Sequence, residues 1–371
     1  MKTQHREFPC KDISAITADI FTEESIFFDI ETTGFSPKQT SLYLIGCARR
    51  IGDTLYLDQF FAEQPAEEEC ILTAFFRLLQ PGQTIITYNG IGFDIPYLKA
   101  KCSQYDIPEP FSGFSYLDMF KSVSKLKHIF HLENYRQKTI ETYLDIPRDD
   151  LYSGGELIEI YHTYTENADE KLLELLLLHN YEDVLGMIDL LPMLSYTHIF
   201  QGKFQKISSV ELCDCKNYDG TFGKELLISI VPDYPLPKKI SCRAGDVYFT
   251  GDQDNIRLVI PVVLDALKYF YPNYKDYYYL PEEDTAIHKS VAAYVDKEHR
   301  EQARASTCYT RKKSLFLPQF RKNFLAPAFY HDYGDRQSYF EYSDSFQNDS
   351  KLLKEYVKHL LNAFATSNKG L

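Results

Sequence analysis

The chain has 371 residues, 44% of them hydrophobic, enough to bury at least one large core and more than a typical single domain holds. Its formal net charge of −13 excludes a protein that gathers a polyanion through overall charge alone. No signal peptide or membrane span is predicted: a basic start followed by an apolar stretch is missing, and the leucine-dense segment near Leu175 is broken by Glu174, His179, Glu182 and Asp183. The cysteines are scattered, and the closest pair, Cys213 and Cys215, lacks CxxC spacing. The expectation is reduced thiols in a cytoplasmic protein, with no zinc site.

In chain order, Ile26 to Ala62 reads as three strands, IFFDI, SLYLIGCA and TLYLDQFF, with turn signals at Ser36-Pro37 and Gly52-Asp53. A helix is predicted from about Pro65 to Leu79, where Cys70, Leu72, Phe75, Phe76 and Leu79 recur at helical spacing. The strand TIITY follows, ending at Asn89-Gly90, and then a helix from near Asp94 to about Tyr105. That order implies an α/β domain built on a mixed sheet flanked by helices. Further helices are predicted near residues 135–143, 155–164 and 169–195.

Beyond about residue 200 the texture changes to short strands such as ELLISIV and a hairpin, VYFTGDQDNIRLVIPVV, turning at Gly251 to Asn255. Aromatic density also rises, as in YFYPNYKDYYYL. The expected division is an N-terminal extension over 1–23, an α/β domain over 24–200, and a smaller α+β or β-rich accessory domain over 201–371, with the boundary between Gln201 and Ser209. A last helix, about Ser350 to Phe364, carries an apolar stripe expected to dock on that second domain.

Charge is divided unequally. Residues 1–200 hold 16 Lys+Arg against 31 Asp+Glu, a net of −15, and residues 201–371 hold 24 against 22, a net of +2. Between Lys297 and Lys322 lie eight basic residues and two acidic ones, interleaved with Tyr309, Phe316 and Phe320. The wider aromatic and basic region from Lys268 to Lys322 reads either as a surface for stacking bases and holding phosphates or as a β-rich domain with half-buried tyrosines. An acidic first half remains compatible with nucleic acid if some of its carboxylates ligate metal, because bound cations invert the local field.

Three motifs carry chemistry. In FFDIETTGF, residues 27–35, period 2 puts Asp29 and Glu31 on one face of a strand. Two acids so spaced are often solvent-facing, but here they stand among bulky apolar residues and need a compensating charge. In TYNGIGFDIPYL, residues 87–98, Asp94 falls where a helix begins, with Pro96 in its first turn; alone it could be a helix N-cap. In LLLLHNYEDVLGM, residues 175–187, His179 and Asp183 are i and i+4 and share a helix face. Alone, they could be a buried histidine and its partner.

Taken together, D-x-E, then N-x-x-x-F-D, then an acid after a His on a late helix resembles the DEDD superfamily of 3′-to-5′ exonucleases. DIETTGF looks like the first exonuclease motif of proofreading subunits, and NGIGFDIPYL like the second motif of exonuclease domains attached to family B polymerases. LENYRQKTIETYLDIPRDDL followed by GGELIEIYHTY resembles the bacterial YprB-type RNase H-like domain. The resemblance spans roughly residues 24–197 and departs at one point. The two DEDD branches have Tyr with three intervening residues before the last Asp, or His with four; here His179 has three.

The resemblance implies an RNase H-like fold and a hydrolase that removes nucleotides from a 3′ end of DNA or RNA with two divalent cations, Mg²⁺ or Mn²⁺. It further implies that Asp29, Glu31, Asp94 and Asp183 ligate the metals, Asp29 bridging them, and that His179 takes a proton from water or orients it. Thr32, Thr33, Gly34, Asn89 and Phe93 would contact the terminal nucleotide, and the product would be a nucleoside 5′-monophosphate; the unequal division of charge, outside the span of the resemblance, gives Arg311, Lys312 and Lys313 the strand beyond it. Hard oxygen ligands suit these metals. Two other readings stay open: a catalytically weak or inactive nucleic-acid-binding protein on the same scaffold, and an endonuclease acting on hybrids or branched DNA.

Overall fold

The computed structural model describes residues 1–10, 13–216, 220–322 and 324–366. Residues 11–12 of the expected extension and 367–371 at the end of the expected second domain lie outside the described residues. The chain forms two compact units: Met1–Thr197 with Leu236–Lys238, and His198–Pro235 with the described residues from Lys239 onward. All eight cysteines are unbridged, and no described helix is long and apolar enough to cross a membrane.

The first unit runs β1 (Lys2–Pro9), α1 (Ala15–Ile20), β2 (Ser25–Thr32), β3 (Leu42–Ile51), β4 (Thr54–Phe61), α2 (Glu68–Phe76), β5 (Thr84–Thr87), α3 (Asp94–Gln104) and β6 (Ser115–Asp118). Helices follow: α4 (Met119–Val123), α5 (Lys127–Phe130), α6 (Gln137–Tyr143), α7 (Gly154–Asn167), α8 (Glu170–Asp189) and α9 (Leu194–Phe200), of which residues from His198 onward count with the second unit. The six-stranded sheet has the order β1-β4-β3-β2-β5-β6. It is mixed: β1 to β4 and β2 to β3 pair antiparallel, whereas β2, β5 and β6 run parallel.

The segment expected as an N-terminal extension is part of this sheet. Lys2–Pro9 pairs along the whole of β4, Lys2 opposite Phe61 and Pro9 opposite Thr54. Its side chains, KTQHREFP, are polar on both faces, the pattern of an edge strand rather than of a buried one. His5 and Arg49 both hold Asp58 of β4, at 2.6 and 2.9 Å.

Alternation along β2 sorts its side chains between two layers. Ile26, Phe28 and Ile30 enter a core with Leu72 and Phe75 of α2, Ile85 of β5 and Leu98 of α3. The opposite face of the sheet meets α7 and α8, where Leu44 and Phe61 pack with Leu157, Tyr161, Leu173 and Leu176. Asp29 and Glu31 therefore point towards α8. That helix starts at Asp169, whose side chain accepts from Lys171 N at 2.9 Å, an N-cap that satisfies a first-turn donor.

The second unit is β-rich. It holds β7 (Lys206–Lys216), β8 (Phe222–Val231), β9 (Leu236–Ala244), β10 (Val247–Gln253), β11 (Asn255–Phe270), β12 (Tyr277–Leu280) and β13 (Thr285–His288). A short α10 (Lys289–Ala292) precedes β14 (Glu301–Gln302), β15 (Tyr309–Gln319), β16 (Ser338–Glu341), α11 (Asp344–Asn348) and α12 (Ser350–Thr366). The path β16-β15-β11-β10-β9, with β8 joining β7 to β11, makes a seven-stranded sheet. The apolar stripe of α12 buries Tyr356, Val357, Leu360, Leu361 and Phe364, with Phe364 against Phe249 at 5.7 Å between ring centroids.

Candidate metal and catalytic site

The expected acids converge from β2, the start of α3, and α8. Asp94 Oδ1 accepts from Ile30 N at 3.3 Å, seating α3 against the strand between Asp29 and Glu31. Asn180 of α8 donates to Asp29 Oδ2 at 3.2 Å and to Asp29 O at 3.4 Å. His179 Nε2 stands 3.5 Å from Glu31 Oε1 and 3.2 Å from Asp183 Oδ2. Asp183 is one helical turn after His179, so the i,i+4 spacing delivers both to one place.

The close approach of α8 requires Gly46. This residue of β3 is directly opposite Asp29, and a Cβ there would lie 2.0 Å from Asn180 Oδ1. Gln59 of β4 donates to the same Asn180 oxygen at 3.0 Å. The amide of Asn180 is thereby oriented with its oxygen towards Gln59 and its NH₂ towards Asp29.

Burial and crowding raise the affinity of these acids for protons. Burial, then the charges of Asp94 and Glu31, push Asp29 well above the usual carboxylate range, against the bond from Asn180. Glu31 is raised by burial and by Asp183 and Asp94, with Arg148 opposing. Asp94 is pushed up to about 7 by burial, although backbone N–H groups oppose the rise. Neighbouring Asp118 adds to it; that residue caps α4 through Oδ1, and its buried Oδ2 has no hydrogen-bond partner among the described residues. Carboxylates held this close can all ionise only with a compensating positive charge beside them.

The donor set fits a divalent cation. Glu31, His179 and Asp183 each offer a ligand atom, all within 4.8 Å of one another, and Asp29 and Asp94 adjoin them through the contacts above. An oxygen-rich set with one imidazole suits a hard or borderline cation, Mn²⁺ as well as Mg²⁺.

Behind the acids lies a shell that the three motifs do not contain. Asp150 Oδ2 is 2.6 Å from His179 Nδ1. Burial would raise Asp150, but Lys138, at 2.8 Å, and His179 outweigh it and hold the carboxyl below its ordinary range. Arg148 reaches Asp183 Oδ1 at 2.5 Å, Asp150 Oδ2 at 3.2 Å and Glu141 Oε2 at 3.2 Å. Burial lowers the Arg148 pKa and its acidic neighbours raise it further, so it remains a guanidinium. Both residues belong to the PRDD segment between α6 and α7, where no periodicity singles them out.

The residues expected to contact a terminal nucleotide fall into two groups. Thr32 Oγ1 donates to Gly34 O at 2.9 Å and Thr33 Oγ1 accepts from Ser41 N at 2.9 Å, so both hydroxyls shape the loop after β2. Asn89 adopts a left-handed backbone, φ 66°, and its N–H is held by Asp118 at 3.1 Å. Phe93 meets Phe35 edge to face, centroids 5.9 Å apart. Phe35, which the sequence reading passed over, is 90% exposed.

In the second unit, the expected stacking residues Tyr309 and Phe316 are buried. Tyr309 packs on Phe270 and Phe316 on Phe329, at 5.3 and 4.9 Å between centroids. Of the two readings of this region, the burial of these rings agrees with the β-rich domain and leaves neither ring free to stack on bases. Arg311, Lys312 and Lys313 are exposed on β15 but do not form one patch. Strand alternation turns Lys312 away from the other two, and it pairs with Glu341 at 2.6 Å while Arg311 pairs with Asp284.

No curated protein matches the chain. Among solved structures it is similar to the family B DNA polymerase of the hyperthermophilic archaeon Pyrobaculum calidifontis, with 18% identity, a TM-score of 0.36, and coverage of 47% of this chain and 26% of the polymerase. It is also similar to E. coli exonuclease I in complex with a dA16 oligonucleotide, with 13% identity, a TM-score of 0.30, and coverage of 56% and 54%. The zinc-bound form of the E. coli ExoI–ssDNA complex gives 14%, 0.28, 56% and 54%. The chain thus spans about half the length of exonuclease I and about a quarter of the polymerase. Residues 26–195 match the model of a family described as RNase_H superfamily, and this part of the chain is an RNase H-like domain.

Proposed function

We propose that the chain is a metal-dependent nuclease, and within that class a 3′-to-5′ exonuclease that hydrolyses phosphodiester bonds of DNA or RNA with two divalent cations. The observation that carries this reading is the convergence of Asp29, Glu31, Asp94 and Asp183, with His179 Nε2 between Glu31 and Asp183. Keeping four acids in one buried place opposes folding unless a cation joins them. This disfavours an inactive scaffold.

Asp29, Glu31, Asp94 and Asp183 would hold the ions. When bound, two such ions lower the pKa of water and neutralise charge on the phosphoryl oxygens. His179 has its Nδ1 engaged by Asp150, so Nε2 is the atom that accepts a proton from the attacking water or orients it. Phe35 and Phe93 offer ring faces to a terminal base, with Asn89 and the loop of Thr32, Thr33 and Gly34 beside its sugar and phosphate. Cations of the second unit, Arg311, Lys312 and Lys313 among them, would hold the strand beyond.

Digestion of 5′-labelled DNA and RNA oligonucleotides with Mg²⁺ or Mn²⁺ tests the proposal. A descending ladder that vanishes in EDTA, and in Asp29→Asn, is expected. Cleavage of a circular strand would instead establish an endonuclease, and no cleavage of any substrate would remove the enzyme reading.

A further inference from the structure

Four side chains behind the acids close a ring. Arg148 Nη2 contacts Asp183 Oδ1 at 2.5 Å, Asp183 Oδ2 contacts His179 Nε2 at 3.2 Å, His179 Nδ1 contacts Asp150 Oδ2 at 2.6 Å, and Asp150 Oδ2 returns to Arg148 Nη2 at 3.2 Å. One guanidinium nitrogen therefore fixes both the carboxylate that would ligate metal and the carboxylate that orients the histidine. We infer that Arg148 is a positioning residue of the metal site: it fixes which oxygen of Asp183 faces Glu31 and His179, and it aligns the His179 ring through Asp150. The inference rests on the proposed metal-dependent function.

The surroundings of Arg148 support a positioning role over simple charge compensation. Its Nη1 meets both oxygens of Glu141, at 3.4 and 3.2 Å. Glu141 is itself fixed by Gln137 at 2.9 Å, and Gln137 also donates to Asp183 O at 2.7 Å. Glu182 accepts from the backbone of Asp149 and Asp150 at 2.9 and 2.8 Å, fastening the PRDD segment to α8. Gly186 leaves room for this arrangement, since a Cβ there would lie 2.3 Å from Glu141 Oε1. Both terminal nitrogens of the planar fork are thus assigned, a geometry that a lysine ammonium cannot reproduce, while Nε stands 3.5 Å from Glu182 Oε2 without a hydrogen bond among the described residues. A counter-charge alone would require only proximity.

The two roles predict opposite signs for metal affinity. Removing a cation beside Asp183 tightens divalent-ion binding on Coulombic grounds. Loss of a positioning partner weakens it, typically by about 10- to 100-fold. The test is the Mn²⁺ binding isotherm, read by electron paramagnetic resonance without nucleic acid, on the full chain and on Arg148→Gln and Arg148→Lys. Weaker binding by about tenfold or more in both variants is expected; unchanged or tighter binding in Arg148→Gln overturns the inference. If Arg148→Gln does not fold, Asp150→Asn, which opens the ring at its other edge, is measured by the same criterion. A double-mutant cycle read at saturating Mn²⁺, where weaker metal binding no longer limits the rate, tests the link to His179: Arg148→Gln should lower kcat in the parent, yet change it by less than about threefold in a His179→Ala background. Equal losses in both backgrounds overturn the inference. A parent that binds Mn²⁺ but cleaves nothing removes the proposed activity and leaves the isotherm to decide the role of Arg148.

Discussion

His179 and Asp150 form a buried pair, Nδ1 to Oδ2 at 2.6 Å, that leaves Nε2 of the ring facing Asp183 and Glu31. A histidine held on one side by a carboxylate has its tautomer set, and its free nitrogen is the one available for chemistry or for a metal. His179→Ala should therefore lower turnover by about 10² to 10⁴, the range of general acid–base catalysis, with little change in KM. Asp150→Asn should fall in the same direction, because an amide can present N–H to Nδ1 and move the ring proton to Nε2. Steady-state kinetics on a labelled oligonucleotide checks both. Parent-like turnover in Asp150→Asn would refute the role given to the pair.

The metal-free protein should be less stable at neutral than at mildly acidic pH. Asp94 titrates near 7 in the folded chain instead of near 3.8, so between those values the folded state holds a proton that the unfolded state has released. Stability then falls as pH rises through that window. Asp29 and Glu31 are shifted in the same direction. In EDTA the melting temperature should drop between pH 5 and pH 7.5, and Mn²⁺ should raise it more at the higher pH. Asp94→Asn should flatten the profile. A melting temperature that rises over this range in the parent would contradict the crowding of the acids.

Gly46→Ala should damage the site without touching a carboxylate. The new methyl group collides with Asn180 Oδ1, and either α8 shifts or the amide turns, releasing Asp29. Overpacking of this kind typically costs about 1–3 kcal/mol. A lower melting temperature and reduced turnover are expected, with partial recovery of stability in Gly46→Ala/Asn180→Ala. Without that recovery, the contact between the two residues is not the cause.

What could be read in advance follows from periodicity. The alternation in IFFDIE puts Asp29 and Glu31 on one face, and i,i+4 spacing puts His179 beside Asp183; each is a repeat with a geometric consequence. Arg148 and Asp150 occupy an irregular segment whose path is set by Glu182 and Glu141, so only the folded chain brings them to the site. Asn180 was hidden for another reason: its partner Asp29 is 151 positions away. The strand Lys2–Pro9 lacks a hydrophobic face because it borders the sheet. In β15, clustering of cations in the sequence suggests a patch that strand alternation divides.

Phe35→Ala should weaken substrate binding selectively. The ring is 90% exposed and sits edge to face with Phe93, so its removal leaves the core intact. Stacking of one base on an aromatic ring is worth about 1–3 kcal/mol, which corresponds to a rise in KM of roughly five- to 150-fold. Turnover at saturating substrate and the melting temperature should stay near parent values. An unchanged KM on single strands would exclude Phe35 as a base contact.

The salt dependence of binding should separate the two faces of β15. Residues 1–200 carry a net charge of −15 and cannot attract a polyanion at long range even after two divalent ions bind, so cations of the second unit are expected to supply much of the hold. Arg311 and Lys313 share one strand face and Lys312 takes the other, where Glu341 holds it. Arg311 must leave the half-buried Asp284 to reach a phosphate, and Asp284 keeps its bonds from Tyr279 and Tyr309 when it does. If each contacts one phosphate of a single strand, Arg311→Ala/Lys313→Ala should reduce the slope of log affinity against log salt by about 1.4, at about 0.7 per contact. Adding Lys312→Ala should change it no further, because a strand crossing one face cannot reach the other. Turnover at saturating substrate should be retained. A triple variant with the affinity and salt slope of the parent would place the nucleic-acid contact elsewhere than β15.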